Sequence, residues 1–188
     1  MYLVATHSLN AVEVQWQLIM ARFDEWLQTE LFHWRWWFLL ALFIFSIFIW
    51  WKLVDKSRLA EIVLYASMIT IITLVLDELG EELCLWDYPV DLVPIFPPLF
   101  SVDLASLPIV YSLIYMYFSQ WKKFIIATLA MALIFCFILE PVLVLIGIYQ
   151  PLTWKYYYGF PIYSVMAICV KAVIIKLLKI SEKGKTRI

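Results

Sequence analysis

The sequence predicts an all-α polytopic membrane protein with five transmembrane helices, an N-terminus outside the cell and a cytoplasmic C-terminus. Of its 188 residues, 65% are hydrophobic and 15% are charged, whereas globular domains average about 45–50% apolar and about 25% charged residues. Apolar runs of about 20 residues recur, and this is the length that crosses a hydrocarbon layer of about 30 Å. Lysine and arginine are concentrated in alternate segments between these runs, which is typical of a chain that crosses the membrane repeatedly.

Residues 1–33 are predicted to form an amphipathic helix that lies at the membrane interface before the first span. Asn10 and Glu13 have the spacing of a capping box, which places the start of the helix at Asn10. Apolar residues then recur at intervals of three and four, as on one face of a helix: Val12, Trp16, Ile19, Phe23 and Trp26. The alternative is a helix that packs over the outer end of the bundle.

Residues 34–180 are predicted to form a five-helix transmembrane domain. Its spans cover about 35–52, 59–78, 101–118, 124–148 and 159–178. Tryptophan and tyrosine residues border these runs, as in the aromatic belts of membrane proteins. Pro108 is expected to kink the third span and Pro141 to interrupt the fourth, because proline lacks the N–H of a helical hydrogen bond. Residues 181–188 form a basic cytoplasmic tail.

The distribution of charge determines the predicted orientation. Ten of the fourteen lysine and arginine residues lie at the end of the first span and in the loop after it, in the loop after the third span, or between Lys176 and the C-terminus. Residues 77–103, which we call the acidic cap, contain seven of the fifteen carboxylates and no lysine or arginine. Pro94, Pro97 and Pro98 prevent a continuous helix within this cap. The positive-inside rule therefore places the cap and the N-terminus outside the cell.

Two carboxylates within predicted spans are candidate site residues. Glu140 lies roughly 24 Å along the fourth span, at 1.5 Å per helical residue, and intramembrane carboxylates usually face a partner or a cavity. Glu140 is therefore either a proton, ion or ligand site, or a protonated or hydrogen-bonded structural residue near the headgroups. Asp77 shares a site with Glu140 if the second and fourth spans are neighbours; otherwise it marks a helix end that meets water.

Four further residues complete the candidate ligand- or partner-binding set. Lys171 is either a counter-ion for these carboxylates or a side chain that extends to the cytoplasmic surface. Asp103 is expected to stabilise the N-terminus of the third span through the helix dipole. Trp86 and Trp154 belong to the aromatic border of the outer face. No residue is assigned as catalytic, with Asp77 and Glu140 as the candidates should the protein be an enzyme.

A weak internal similarity relates the second and third spans to the fourth and fifth. Each pair has a carboxylate near the outer end of its first helix, Asp77 or Glu140, followed by an aromatic turn and then by prolines. A true repeat and convergent aromatic-belt composition explain this similarity equally well.

The sequence indicates no cofactor, no metal site and no nucleic-acid partner. His7 and His33 are far apart and have no further ligands at metal-binding spacing. The three cysteines lack the spacing of a zinc site, and the basic residues lie at helix ends rather than on a recognition surface. The expected partners are the lipid bilayer and either another membrane protein or a second copy of this chain.

Several of these features together resemble a family of small, uncharacterised multi-pass membrane proteins of Bacillus- and Clostridium-like bacteria, within the Firmicutes. The resemblance covers roughly residues 35–175. It rests on the following residues and motifs: Asp77, Trp86-x-Tyr88, Pro94, Asp103 followed by Pro108, Glu140-Pro141, and Trp154 with the tyrosines after it. It implies a bacterial plasma membrane and a spore-forming host, and it implies no activity.

A fainter resemblance is to the membrane-embedded carotenoid (lycopene) cyclases. These enzymes also pair short hairpins and have a carboxylate at a helix end before a tryptophan-containing turn, to which Leu85-Trp86 and Pro108 correspond here. The Pro-x-Glu-Glu motif of the returning span is replaced by Leu107-Pro108-Ile109-Val110.

Three hypotheses for the function follow. The leading one is a non-enzymatic plasma-membrane protein that binds a partner protein, or a small cationic or amphiphilic ligand, at its acidic outer face. The alternative is a membrane-embedded enzyme that acts on a lipid or isoprenoid, with Asp77 and Glu140 as proton donor and acceptor. A small transporter is the third, although few glycines are available for close helix contacts.

Overall fold

The computed structural model describes residues 2–94, 99 and 101–185, and the protein is nearly all-α. Its helices and strands are α1 (Tyr2–Glu25), a π-helical turn (Trp26–Glu30), α2 (Trp34–Leu53), a 3₁₀ turn (Lys56–Arg58), α3 (Leu59–Glu82), β1 (Trp86–Asp87), a π-helical turn (Val102–Ser106), α4 (Leu107–Tyr117), α5 (Trp121–Ile134), a π-helical turn (Phe135–Leu139), α6 (Glu140–Leu145), β2 (Gln150–Pro151) and α7 (Tyr156–Lys185). Pro97, Pro98 and tail residues 186–188 lie outside the described residues.

Four helical segments in the described residues are long and apolar enough to cross a membrane: Trp34–Leu53, Lys56–Glu82, Trp121–Leu145 and Tyr156–Lys183. They correspond to the predicted first, second, fourth and fifth spans. The predicted third span coincides with a shorter apolar helix, Val102–Tyr117. This helix is roughly 24 Å long, at 1.5 Å per residue.

The main core lies between α3, α4, α5 and α7. Its buried side chains include stacked Tyr65 and Tyr115, whose ring centroids are 4.3 Å apart, together with Tyr111, Phe124 and Phe135. The outer faces of the same helices carry exposed leucine, isoleucine, valine and phenylalanine side chains. Apolar residues on both sides of a helix are expected where one side packs on protein and the other meets lipid.

Both predicted helix irregularities coincide with π-helical turns. Pro108 follows the turn Val102–Ser106, and Pro141 follows the turn Phe135–Leu139. The predicted interruption at Glu140-Pro141 is confirmed, because α5 ends at Ile134 and a π-helical turn leads into α6. A π-helical turn locally changes the hydrogen-bond register, which accommodates the missing proline N–H.

A two-stranded ladder joins the connection after α3 to the connection after α6. β1 pairs with β2 in antiparallel register, with Trp86 opposite Pro151 and Asp87 opposite Gln150. The backbone N–H groups of residues 152–154 also donate to the carbonyl of Leu85. The two aromatic turns that are similar in sequence therefore contact each other at one end of the bundle, which we call the cap end.

The N-terminal segment contacts the cap end through its last turns. α1 begins at Tyr2, so the predicted start at Asn10 is wrong, and Asn10 lies within the helix. Trp26 donates from Nε1 to the carbonyl of Asp91 over 3.0 Å, and the N–H of Asp91 donates to Glu30 Oε2 over 2.8 Å. Arg22 adds an ion pair of 2.8 Å with Glu81. Upstream apolar side chains of α1 are exposed, and the predicted interfacial position of this helix stays a prediction.

Asp91 holds an uncompensated carboxyl group at this contact. Its Oδ1 atom is buried without a hydrogen-bond donor among the described residues. Burial and the nearby charges of Glu30 and Glu81 raise the pKa of Asp91 to about 9, and burial also raises the pKa of Glu30. Asp91 is therefore protonated at neutral pH while the contact is formed.

The contact between the N-terminal segment and the cap should weaken as pH rises. A detached Asp91 loses its proton near its ordinary pKa of 3.8, whereas the docked carboxyl keeps the proton up to about 9. The contact therefore loses stability between these pH values. We expect Asp91→Asn to remove most of this dependence, and Asp24→Asn, at an exposed position on α1, to retain it. Amide-exchange protection factors for residues 26–31, measured at pH 6 and pH 9, provide the test. An equal change in the protection factors between pH 6 and pH 9 in both variants would contradict this account.

Candidate functional site

A cavity of about 420 Å³ opens at the cap end of the bundle. Its walls come from α2, α3, α6 and α7, from the π-helical turns before α4 and α6, and from the two aromatic connections. Most of the lining side chains are leucines, other aliphatic residues and aromatic residues. Three carboxyl-bearing side chains interrupt this apolar wall: Asp77, Asp103 and Glu140.

Each of these carboxyl residues is placed by a helix end. Asp77 lies near the end of α3, Asp103 lies in the π-helical turn before α4, and Glu140 is the first residue of α6. Their exposed fractions are 8%, 5% and 8%. Such burial is unusual for aspartate and glutamate, which are almost never fully buried unless they are paired.

Asp77 is held by the connection that follows its own helix. Trp86 donates from Nε1 to Asp77 Oδ1 over 3.1 Å, and the Tyr88 hydroxyl donates to the same oxygen over 2.5 Å. Burial and the nearby Asp77 raise the pKa of Tyr88 well above its ordinary value. The Trp86 ring lies against Gly80, where an added Cβ would overlap the indole. The chain reverses direction between α3 and β1, and Cys84 adopts a positive φ of 52° at this turn.

Asp77 and Asp103 form a carboxyl pair. Their side chains lie within hydrogen-bonding reach of each other. Each has one buried oxygen, Oδ2, that receives no N–H or O–H donor from the other described residues. A hydrogen bond between two carboxyl groups requires a proton on one of them. Asp103 lies in the first turn of its helical segment, the position predicted for an acidic residue that the helix dipole stabilises.

Glu140 occupies another part of the same cavity. The Tyr163 hydroxyl donates to Glu140 Oε1 over 3.2 Å, while Oε2 is buried without a donor among the described residues. Gly159 allows α7 to approach at this point, because a Cβ there would lie 3.0 Å from Cys136 Sγ and 3.4 Å from Glu140 Oε1. Tyr163 also lies within electrostatic range of Asp77 and Asp103.

Lys171 lies outside this cavity. Its Nζ atom donates to the carbonyls of Phe118 and Ser119 over 2.9 and 3.0 Å, and it lies 4.0 Å from the centre of the Phe124 ring. These groups follow the C-terminus of α4, where a cation is stabilised by the helix dipole. The side chain is buried, with 2% exposed. Of its two predicted roles, Lys171 is therefore not the counter-ion of Asp77 or Glu140.

The structure thus brings together five of the six predicted site residues. Asp77, Asp103, Glu140, Trp86 and Trp154 line one cavity, and the rings of Trp86 and Trp154 meet edge to face at 4.8 Å. Sequence reasoning missed the hydrogen-bonding roles of Tyr88 and Tyr163. Tyr88 belongs to the Trp86-x-Tyr88 motif, which gave a usable signal, whereas Tyr163 has no local signal that separates it from border tyrosines.

A scan against protein-family models and searches of curated proteins and of solved structures found no match to this chain. Within the described part of the chain, no three histidine, cysteine, aspartate or glutamate side chains are arranged to hold a metal ion.

Tyr88→Phe should destabilise the protein, because it leaves a buried carboxyl oxygen with one donor fewer. We expect a loss of about 1–3 kcal/mol in the free energy of unfolding, measured by thermal unfolding in detergent. Tyr117→Phe removes a hydroxyl from an exposed tyrosine and serves as the matched control. Equal unfolding temperatures for the two variants would show that the Tyr88–Asp77 hydrogen bond contributes nothing to stability.

Proposed function

We propose that this protein is a five-span plasma-membrane protein that binds a small amphiphilic ligand in the cavity at its cap end. In this proposal the cap end and the N-terminus face outward and the C-terminus lies in the cytoplasm. The resemblance to small membrane proteins of Bacillus- and Clostridium-like bacteria favours a bacterial plasma membrane. Four long apolar helices support a membrane location.

The predicted third span, which brings the number of spans from four to five, is supported by the position of the helix Val102–Tyr117. This helix begins beside Asp77 at the cap end, and it ends beside the connection from α2 to α3, where the N–H of Asp55 contacts Met116 Sδ at 3.2 Å. The helix Val102–Tyr117 therefore extends from the cap end to the opposite end of the bundle. A helix of roughly 24 Å is shorter than the average hydrocarbon thickness, a mismatch that local thinning of the bilayer accommodates.

The ligand proposal is carried by one observation: an apolar cavity contains three buried carboxyl groups. A volume of about 420 Å³ lies within the range of small-molecule pockets, about 300–1,000 Å³. The exposed side chains of Leu79, Leu83 and Val142 border the cavity. An apolar chain can therefore pass between lipid and cavity without crossing polar groups, while the carboxyl groups provide a binding site for its head.

A second candidate function, an enzyme that acts on a lipid or isoprenoid, is favoured by a separate observation. Asp77 and Asp103 lie close enough to share a proton, and Glu140 is a third carboxyl group in the same cavity. A proton donor and a proton acceptor in one apolar site are the minimum for acid–base chemistry. In that case Asp77→Asn and Glu140→Gln would change the lipid profile of the host as deletion of the protein does, without lowering membrane abundance.

Cysteine labelling tests the proposed orientation. Cys84 is an exposed free thiol in the acidic cap, so a membrane-impermeant maleimide should label it in intact cells. Both experiments use a Cys169→Ser background, because Cys169 is also an exposed free thiol. With Cys84→Ser added, Ser181→Cys places a thiol on the exposed last turns of α7, and this thiol should react only after permeabilisation. Labelling of both positions in intact cells would contradict the three crossings proposed between residues 84 and 181.

Narrowing the cavity should remove the bound ligand. Val142→Trp adds bulk at its border, and Val165→Trp makes the same change at an exposed position on α7 outside the lining. We expect mass spectrometry of the purified proteins to find an amphiphile enriched in wild type and in Val165→Trp, and at least fivefold depleted in Val142→Trp. Equal lipid content in all three proteins would refute the binding function.

A further inference from the structure

The cavity contains three carboxyl groups and no matching cationic side chain among the described residues. No lysine, arginine or histidine is among the described residues that line it. One proton shared between Asp77 and Asp103 leaves up to two ionised carboxyl groups when Glu140 is also ionised. An uncompensated charge in a membrane interior is energetically costly. A bound cation would offset this cost, and a bound anion would increase it.

Glu140 is the carboxyl group that is best placed to accept a cationic head. Asp77 Oδ1 already accepts two hydrogen bonds, and the side chains of Asp77 and Asp103 interact with each other. Glu140 accepts one hydrogen bond, from Tyr163, and its Oε2 has no donor in the described part of the protein. Glu140 is more than nine-tenths buried, with 8% exposed.

Aromatic rings surround the same region. Phe135, Tyr149 and Tyr163 line the cavity together with Glu140, and the centroids of the Phe135 and Tyr163 rings are 6.0 Å apart. Aromatic faces attract organic cations, and quaternary ammonium groups are bound in this way. Metal ions are a poorer match, since the described side chains form no metal-binding group.

We propose that the ligand is a lipophilic monovalent cation, with an ammonium head at Glu140 and an apolar chain along Leu79, Leu83 and Val142. This inference rests on the proposed ligand-binding function and adds the charge of the head. Anionic amphiphiles, such as fatty acids and phosphate-bearing lipids, are excluded from the site by repulsion from its carboxylates.

The test uses the full chain in nanodiscs and radiolabelled decyltrimethylammonium. Two competitors share its decyl chain: the uncharged isostere, in which a quaternary carbon replaces the nitrogen, and decyl sulfate. All three are compared at equal concentration in the bilayer, and binding to empty nanodiscs is subtracted. We expect the ammonium compound to bind at least tenfold more tightly than the isostere, equivalent to about 1.4 kcal/mol, and decyl sulfate to compete more weakly than the isostere.

A charge-removing variant locates the head. Glu140→Gln should weaken binding of the ammonium probe about tenfold and leave binding of a labelled isostere unchanged. Glu13→Gln, at an exposed position on α1, is the matched control and should bind both probes as wild type does. If Glu140→Gln does not fold, the comparison of the three compounds on wild type still decides the sign of the charge.

Two failures are distinguishable. Equal affinity for the ammonium compound and its isostere, or tighter binding of decyl sulfate, would overturn the cation inference while the cavity remains a binding site. Absence of saturable binding of either probe to wild type, with no difference from Val142→Trp, would overturn the proposed function itself.

Discussion

The carboxyl group of Asp77 has to be satisfied within apolar surroundings, and this requirement organises the cap end. The connection after α3 folds back so that Trp86 and Tyr88 can donate to one oxygen of Asp77, whose side chain also interacts with Asp103. A buried acceptor that loses a donor costs about 1–3 kcal/mol. The hydrogen bonds therefore fix where β1 begins and hold the start of α4 against α3.

The other two carboxyl groups, those of Asp103 and Glu140, lie at helix irregularities that are next to prolines. Asp103 lies within a π-helical turn that precedes Pro108, and Glu140 directly follows one and precedes Pro141. Proline removes one helical hydrogen bond, and a π-helical turn shifts the register of those around it. The same local irregularity that relieves the proline also sets the direction of a neighbouring side chain. Helix distortion and cavity are thus one structural feature in this protein.

The positions of the helices could be predicted from the sequence because hydrocarbon imposes long apolar runs. Their neighbours could not be predicted, since hydropathy does not record which faces meet. The meeting of Asp77 with Glu140 in one cavity accordingly stayed conditional on how the second and fourth spans pack. Asp103 was interpreted as a dipole-stabilising residue because its pairing with Asp77 is a long-range contact.

Two local signals also had limited value. The Asn10 capping box failed because helical structure continues through it, so a side chain that can cap has no terminus to cap. Lys171 remained ambiguous because its depth depends on the first residue of α7. That residue is Tyr156, three residues before the predicted start at 159, and this places Lys171 at the end of the bundle opposite the cavity.

The two ends of the bundle treat charge in opposite ways. At one end, Lys171 is satisfied by the carbonyls after α4 and by the Phe124 ring. At the other, three carboxyl groups have aromatic donors and each other, with no cation among the described lining residues. Lys171 does not line the cavity and makes its hydrogen bonds to the carbonyls of Phe118 and Ser119. The charge of the carboxylates has to be offset by protons or by a molecule that enters the cavity, and this physical requirement links the fold to a choice of ligand.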